Sequence, residues 1–304
     1  MSAITTAGIL AANTGCRALQ IAQVGTRLAQ IEGEVAGNRW YVDTVSGLDT
    51  NDGKSRSGAF LTMGAAFAVL GSRDVIYFTG KVREQLIAPL TVYGVTIIGS
   101  DTTPRHDLAA SWMAPASGGT ASKALCEIIE QGWSFVNILF QSFTTAPAVK
   151  MTRAEDAVHP DPSHASFIGC RFAGVDGVWD SGGCYNITFK DCKFYDLTGT
   201  AIKVVAGAGI AAPQHWTIEN CEFVNCAAGI VNGFKWCTIK DCRFASNTVS
   251  INLTGGTAPN FVTGIVADEP NATFNNSNGW YGISGDIWQV HCTDQVRYGI
   301  PTVA

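Results

Sequence analysis

Four short segments of the chain superimpose on one another, and this repeat limits the fold more than any other feature. They read Ser166-Phe-Ile-Gly-Cys-Arg-Phe172, Thr188-Phe-Lys-Asp-Cys-Lys-Phe194, Thr217-Ile-Glu-Asn-Cys-Glu-Phe223 and Thr238-Ile-Lys-Asp-Cys-Arg-Phe244. Their cysteines, Cys170, Cys192, Cys221 and Cys242, are 22, 29 and 21 residues apart, a period that signals a solenoid. Two places after each cysteine stands a phenylalanine: Phe172, Phe194, Phe223 and Phe244. Three places before it stand Phe167, Phe189, Ile218 and Ile239. The residue just before it is Gly169, Asp191, Asn220 or Asp241, types that tolerate the left-handed backbone region, so this column predicts a corner.

The outward columns agree with such a corner between two strands. Ser166, Thr188, Thr217 and Thr238 form a hydroxyl row, and Arg171, Lys193, Glu222 and Arg243 form a charged one. A coil of strand, corner and strand, stacked about 4.8 Å from the next, is a parallel β-helix. One coil cannot bury its own inner face, whereas stacked identical columns share a continuous core. The stretches Asp74–Phe78, Gly94–Gly99, Phe135–Phe140 and Ser250–Thr254 extend the coils in looser form. The stretches 101–132, 152–163 and 203–214 are rich in Pro, Gly, Ala and Asp and read as insertions on one side, where binding surfaces usually sit.

Only 15% of residues are charged and the net charge is −5, so no basic stripe offers itself to nucleic acid. Four of the ten cysteines fall in the inward ladder column. Stacked at one coil spacing they lie near pairing distance, but the burial preference of cysteine favours free thiols. No Cys-x-x-Cys or zinc-type Cys/His spacing occurs, and no metal or cofactor is expected. The start lacks a basic n-region and a long apolar run, so neither a signal peptide nor membrane insertion is expected, and synthesis in a cytosol follows.

Residues 1–37 differ in composition from the rest. Ile21, Val24, Leu28, Ile31 and Val35 are spaced 3, 4, 3 and 4 apart, an a/d heptad seam on a short helical arm. Two heptads are too few to hold a lone helix. The seam therefore caps the first coil or pairs with the same helix in other subunits, and a homotrimer is the favoured expectation. The organisation expected is an arm at 1–37 and a β-helix domain at 38–304, closed by a C-terminal cap from about 266.

The stretch Trp40-Tyr-Val-Asp43, Gly47-Leu-Asp-Thr-Asn-Asp-Gly53, Phe60-Leu-Thr-Met-Gly-Ala-Ala66, Asp74-Val-Ile-Tyr-Phe78, Val82-Arg-Glu-Gln-Leu86 and Val95-Thr-Ile-Ile-Gly99 resembles the opening of pectin-lyase-like β-helix proteins. It is similar in particular to those of tailed-bacteriophage spikes and other virion proteins, and with the later coils the resemblance covers 40 to about 265. It implies an all-β, single-stranded right-handed parallel β-helix. It also implies a homotrimer attached to other virion proteins by its N-terminal segment and displayed on the tail or capsid of a phage particle. The Asn-x-Asp, Asp-Asp, Gly-His-Gly and Arg-x-Lys motifs of polygalacturonase-type members do not occur here. Nor do the Trp-x-Asp-His and Arg-x-Pro motifs of pectate-lyase-type members; Val178-Trp-Asp-Ser181 lacks the histidine.

Glycoside cleavage needs two carboxyl groups about 5–9.5 Å apart. The candidates are Asp176 with Asp180, Glu155 with Asp156, and Asp196. Trp179, Trp216 and Trp236 are candidates for stacking on sugar rings, against the alternative of packing under loops. His159, Asp161 and His164 lack a defined third metal ligand, and Asp49 to Gly53 reads as a tight turn before the first coil. The sequence thus leads to a non-enzymatic structural protein of a virion, engaging a host cell-surface polysaccharide or reinforcing a shell. The rival reading is a polysaccharide lyase or endo-glycosidase.

Overall fold

The computed structural model describes residues 37–100, 110–115, 119–152, 162–205, 213–231, 233–252 and 260–267, with three further strands at 274–275, 288–292 and 295–299. By its internal contacts the chain divides into Met1–Gly37 and Asn38–Ala304. The heptad seam Ile21, Val24, Leu28, Ile31 and Val35 lies outside the described residues, as do Glu155, Asp156, His159 and Asp161.

Each coil of the solenoid has three walls. The first is a sheet of nine parallel strands, in stacking order Arg39–Asp43, Val75–Thr79, Thr96–Gly99, Ser134–Val136, Ser166–Ile168, Thr188–Lys190, Thr217–Glu219, Thr238–Lys240 and Phe261–Thr263. The second wall is built by Lys193–Leu197, Glu222–Val224, Arg243–Ala245 and Val266–Ala267, and the third by Thr200–Val204, Ala228–Val231, Val249–Asn252 and Phe274–Asn275. Two long strands, Leu139–Met151 and Arg171–Asp180, run around the corner between these walls and join them into one sheet. The stacking register is the one read from the repeat. Phe167 pairs with Phe189, Phe189 with Ile218 and Ile218 with Ile239, while Phe172, Phe194, Phe223 and Phe244 pair in sequence on the second wall.

The corner column behaves as its residue types require. Gly169, Asp191, Asn220 and Asp241 have φ of 62°, 56°, 51° and 54°. The Asn220 amide donates to Asp191 Oδ1 at 2.6 Å, tying one corner to the one below. A second corner, between the second and third walls, repeats the device with Asp196, Asn225 and Ser246, and the Asn225 amide donates to Asp196 Oδ1 at 2.7 Å. Asp196, weighed above as a catalytic acid, is thus a corner residue.

Inside, the phenylalanine rings stack at 4.7, 4.9 and 4.7 Å with interplanar angles below 8°, the spacing of the strands themselves. Cys170, Cys192, Cys221 and Cys242 are buried free thiols. Cys170 and Cys192 donate to the carbonyls of Phe135 and Phe167 one coil below. Burial pushes the Cys237 and Cys226 thiols up to about 12, so little reactive thiolate forms.

The first coils reach the same architecture with other residues. A short helix, α1 (Met63–Phe67), covers the first coil. Its N-terminal N–H groups are bound by Thr62 Oγ1 and by the Glu84 carboxylate, which accepts from Met63 and Gly64. Asp49 accepts from the Leu61 and Thr62 backbone and from the Thr62 hydroxyl, tying its loop to the start of α1; the turn there, with Asn51 N donating to Leu48 O at 3.0 Å, follows the first strand Arg39–Asp43 rather than preceding the first coil. Two further expectations need correction. The stretch 101–132 is not simply an insertion, because Ser111–Met113 and Cys126–Ile128 are strands of the solenoid, and residues 203–204 belong to the strand Thr200–Val204. Past Asn275 the parallel pattern gives way to an antiparallel hairpin, Trp288–Cys292 with Gln295–Gly299.

Candidate functional site

A third column of left-handed residues runs where each coil re-enters the first wall: Arg73, Gly94, Gly132, His164, Asn186, His215 and Trp236, with φ between 51° and 77°. Consecutive members are linked through the backbone. His164 N donates to Tyr185 O, Asn186 N to Gln214 O, and His215 N to Lys235 O, at 2.8–3.1 Å. Glycine occupies such a position freely, whereas each L-residue there costs about 1–2 kcal/mol, and a bulky one is an outlier. The strain is set by the coil geometry, and its result is that the side chains project from the edge. His164, Asn186, His215 and Trp236 are all exposed. Trp236 is 48% exposed, and its ring stacks on the His215 imidazole at 5.5 Å with an interplanar angle of 17°. Four successive coils thus present a row of two imidazoles, an amide and an indole at the coil repeat.

A second cluster lies on the outward side of the third wall. Strand register sets Trp179 between Lys150 and Lys203. The Lys203 ammonium lies 4.9 Å from the Trp179 ring centroid, a cation–π arrangement. Lys150 also pairs with Glu127 at 3.4 Å, and Glu127 accepts from the Thr152 hydroxyl at 2.7 Å. Asp176 begins this stretch and is almost buried. Burial raises its pKa, against the opposing effects of the Thr200 N–H at 2.6 Å, of Lys203 and of the nearby Trp179 indole. That indole N–H is itself buried, and it points toward the carboxylate without completing a well-aligned hydrogen bond.

The paired-acid expectation for Asp176 and Asp180 does not match this geometry. Both lie on the strand Arg171–Asp180, four residues apart, so their Cα atoms are about 13 Å apart. The Asp180 carboxylate is fully buried and accepts from the N–H groups of Gly182, Gly183 and Cys184 at 2.8–2.9 Å. It organises the turn that leaves the third wall.

Of the three tryptophans proposed to stack on sugars, Trp216 is excluded. It is 1% exposed, packs edge-on against Phe234, and donates its indole N–H to Cys184 O at 2.9 Å. The alternation of the first wall turns it inward, two residues before the inward Ile218. Trp179 and Trp236 remain available. The left-handed edge column escaped sequence reading because His164, Asn186, His215 and Trp236 share no residue class. Their common position two places before the Ser/Thr row was the only trace. Among the described residues no group of three or more His, Cys, Asp or Glu side chains is placed to hold a metal ion. No helix among them is long and apolar enough to cross a membrane.

With this geometry in hand, comparison with known proteins bears on the fold. The family model for the right-handed β-helix region matches residues 155–278. No curated protein sequence matches the chain. Among solved structures, the GH136 lacto-N-biosidase from Eubacterium ramulus is 12% identical, with 84% of this chain and 60% of that chain covered and a TM-score of 0.50. The present chain therefore spans about 60% of that enzyme's length. The pectin methylesterase from Aspergillus niger is 14% identical over 83% of this chain and 92% of its own, with a TM-score of 0.45. Pectate lyase Pel9A is 12% identical over 76% and 69%, with a TM-score of 0.39. At these identities the likeness is one of fold: the architecture is a right-handed parallel β-helix.

Proposed function

We propose that this protein is a carbohydrate-acting β-helix that binds an extended polysaccharide along the edge formed by His164, Asn186, His215 and Trp236. The observation that carries the reading is Trp236, a large aromatic held half-exposed in a strained backbone conformation and stacked on His215. An indole offers a flat apolar face to the C–H face of a sugar ring. The neighbouring amide and imidazoles donate to and accept from hydroxyls. The row repeats at the coil spacing, which suits a polymer that itself repeats.

Binding is tested by titrating the purified protein with capsular and pectic polysaccharides while following tryptophan fluorescence. Trp236→Ala is expected to weaken binding about tenfold or more, as a central aromatic contact does. Unchanged affinity in that variant would remove the edge as the binding surface.

The second reading is cleavage of the bound polysaccharide, as a lyase or endo-glycosidase. It is favoured by Asp176, a carboxyl whose pKa burial raises, set on the same strand as the Trp179 ring that Lys203 covers. New reducing ends or unsaturated sugars on incubation with polysaccharide, lost in Asp176→Asn, would support it. The virion placement of the protein, as a homotrimer displayed on a tailed phage with its N-terminal arm against other virion proteins, is part of the same proposal. It is supported by the resemblance of residues 40–99 to phage spike openings and by the heptad seam. Sedimentation or light scattering of the intact chain tests the trimer: a species of about 32 kDa would remove it.

A further inference from the structure

The cysteine ladder carries a chemistry that carbohydrate binding does not use. Cys170, Cys192, Cys221 and Cys242 take the same place in four successive coils, and all are free thiols at most 2% exposed. Each sulfur lies within hydrogen-bonding reach of the next, from Cys170 to Cys192, to Cys221 and to Cys242. Backbone pairing sets Ile138 below Cys170 and Ile265 above Cys242, so two buried apolar side chains close the ends of the ladder. The other described thiols have no such neighbour. Cys126 lies between Leu86 and Val149, Cys226 between Leu197 and Asn247, and Cys237 above Trp216. Cys184 donates to Asp180 Oδ1 at 3.1 Å.

Rung spacing decides what four stacked sulfurs can hold. The phenylalanine rings two residues along stack at 4.7–4.9 Å, and this close packing resists any change in the distance between coils. A disulfide needs its Cβ atoms about 3.5–4.5 Å apart, so closing one here would pull two packed coils together. A thiolate bond to a d10 cation such as zinc is about 2.3 Å, so a linear sulfur–metal–sulfur link spans about 4.6 Å. That span matches one coil. Zinc itself takes four tetrahedral ligands, whereas an ion between two rungs meets only two. Thiolate donors select soft cations. Charge narrows the choice further, because a net charge in a dry core is costly. A divalent ion that displaces one proton from each of two thiols leaves a neutral product, and a monovalent ion leaves an anion.

We infer that the cysteine ladder is a linear, two-coordinate site for a soft divalent cation of the mercury(II) class. One ion lies between Cys170 and Cys192 and a second between Cys221 and Cys242. Each ion forms two metal–sulfur bonds, breaks two S–H bonds and releases two protons to solvent. Entry requires a coil to open, since none of these thiols reaches the surface. The site stands apart from the Trp236 edge and does not depend on binding there.

The test incubates the intact, reduced protein with mercury(II) chloride in the absence of oxygen, just below its melting temperature, where coils open often. Native mass spectrometry then distinguishes the modes of binding. A bridging ion adds its mass less two protons and keeps no chloride, whereas an ion on a single thiol displaces one proton and keeps a chloride. Two bridging ions are expected at the ladder, with two sulfurs per ion by X-ray absorption. Cys170→Ala, which leaves three rungs, is expected to lose one of them. Cys192→Ala combined with Cys242→Ala, which leaves Cys170 and Cys221 two coils apart, is expected to lose both. No uptake, chloride on every bound ion, or undiminished bridging in the double variant would overturn the site. Conversion of the rungs to disulfides by hydrogen peroxide in the same incubation without metal, each pair passing two hydrogens to the peroxide to give water, would also overturn it. That result would show that the coils close to disulfide distance.

Discussion

The coils from Ser166 to Ala245 and the coils from Arg39 to Ser100 build the same triangular cross-section by opposite means. The later coils use each device repeatedly: one ring per coil in the Phe172–Phe244 stack, one thiol per coil beside it, and one left-handed residue per corner, Asn, Asp or Gly at all but Ser246. The first coils use each device once. Asp74, 1% exposed, accepts from Asn38 N, Trp40 Nε1 and Gly71 N, and so ties together two segments that no repeat relates. Glu84 binds the start of α1, and Trp112 donates its indole N–H to Glu84 O. Repetition spreads stability over nearest-neighbour interfaces, whereas single-use polar contacts concentrate it in a few groups.

The sharpest way to break this comparison is Phe194→Ala. The ring is sandwiched between Phe172 and Phe223, and the cavity left behind should cost about 3–5 kcal/mol in urea unfolding. Asp74→Ala should follow, at about 1–3 kcal/mol, because it leaves buried donors unpaired in the first coils. Limited proteolysis should find the new cleavage sites of Asp74→Ala near residues 38–74 rather than in the later coils. If Asp74→Ala proves the more costly of the two, repetition is not the main source of stability.

Corner chemistry gives a finer test. Asn220→Ala should lose about 1–2 kcal/mol from left-handed strain, while Asn220→Gly removes the strain and retains only the loss of one exposed hydrogen bond. Equal losses would show that the amide ladder, rather than backbone conformation, holds the corner. The smallest effect expected is one of pH. Burial raises the pKa of Asp180 above its ordinary value near 3.8. Its contribution to stability is therefore complete below the unfolded-state pKa and is lost as pH rises through the folded-state value. Asp180→Asn should accordingly lie further below the parent in Tm at pH 4 than at pH 7. A constant gap would mean that the carboxyl keeps its ordinary pKa.

The repeat made much of this legible from residues alone. Glycine, asparagine and aspartate before each cysteine predicted the left-handed corner, and the observed φ of 51–62° follow. Phe167 and Phe189 announced an inward column because alternation on a strand leaves them no other face. The strands Ser111–Met113 and Cys126–Ile128 were hidden because each is three residues long and sits among prolines, glycines and alanines; partner strands define them, not local pattern. Trp216 and Trp236 look alike in sequence, 20 residues apart, yet one is core and the other surface. Their offset from the Ser/Thr row differs by a single residue, and one residue on a strand edge reverses the face.

Sequence by itself settled the solenoid, its corners and its shared dry interior, since those depend on a periodicity that every coil must obey for its neighbours to stack. Only the tertiary structure decided which groups meet at the surface. The His215–Trp236 stack and the Tyr41–Tyr77 stack each join residues from different coils. Their meeting is fixed by the length of the intervening turns, which leaves no mark in residue type.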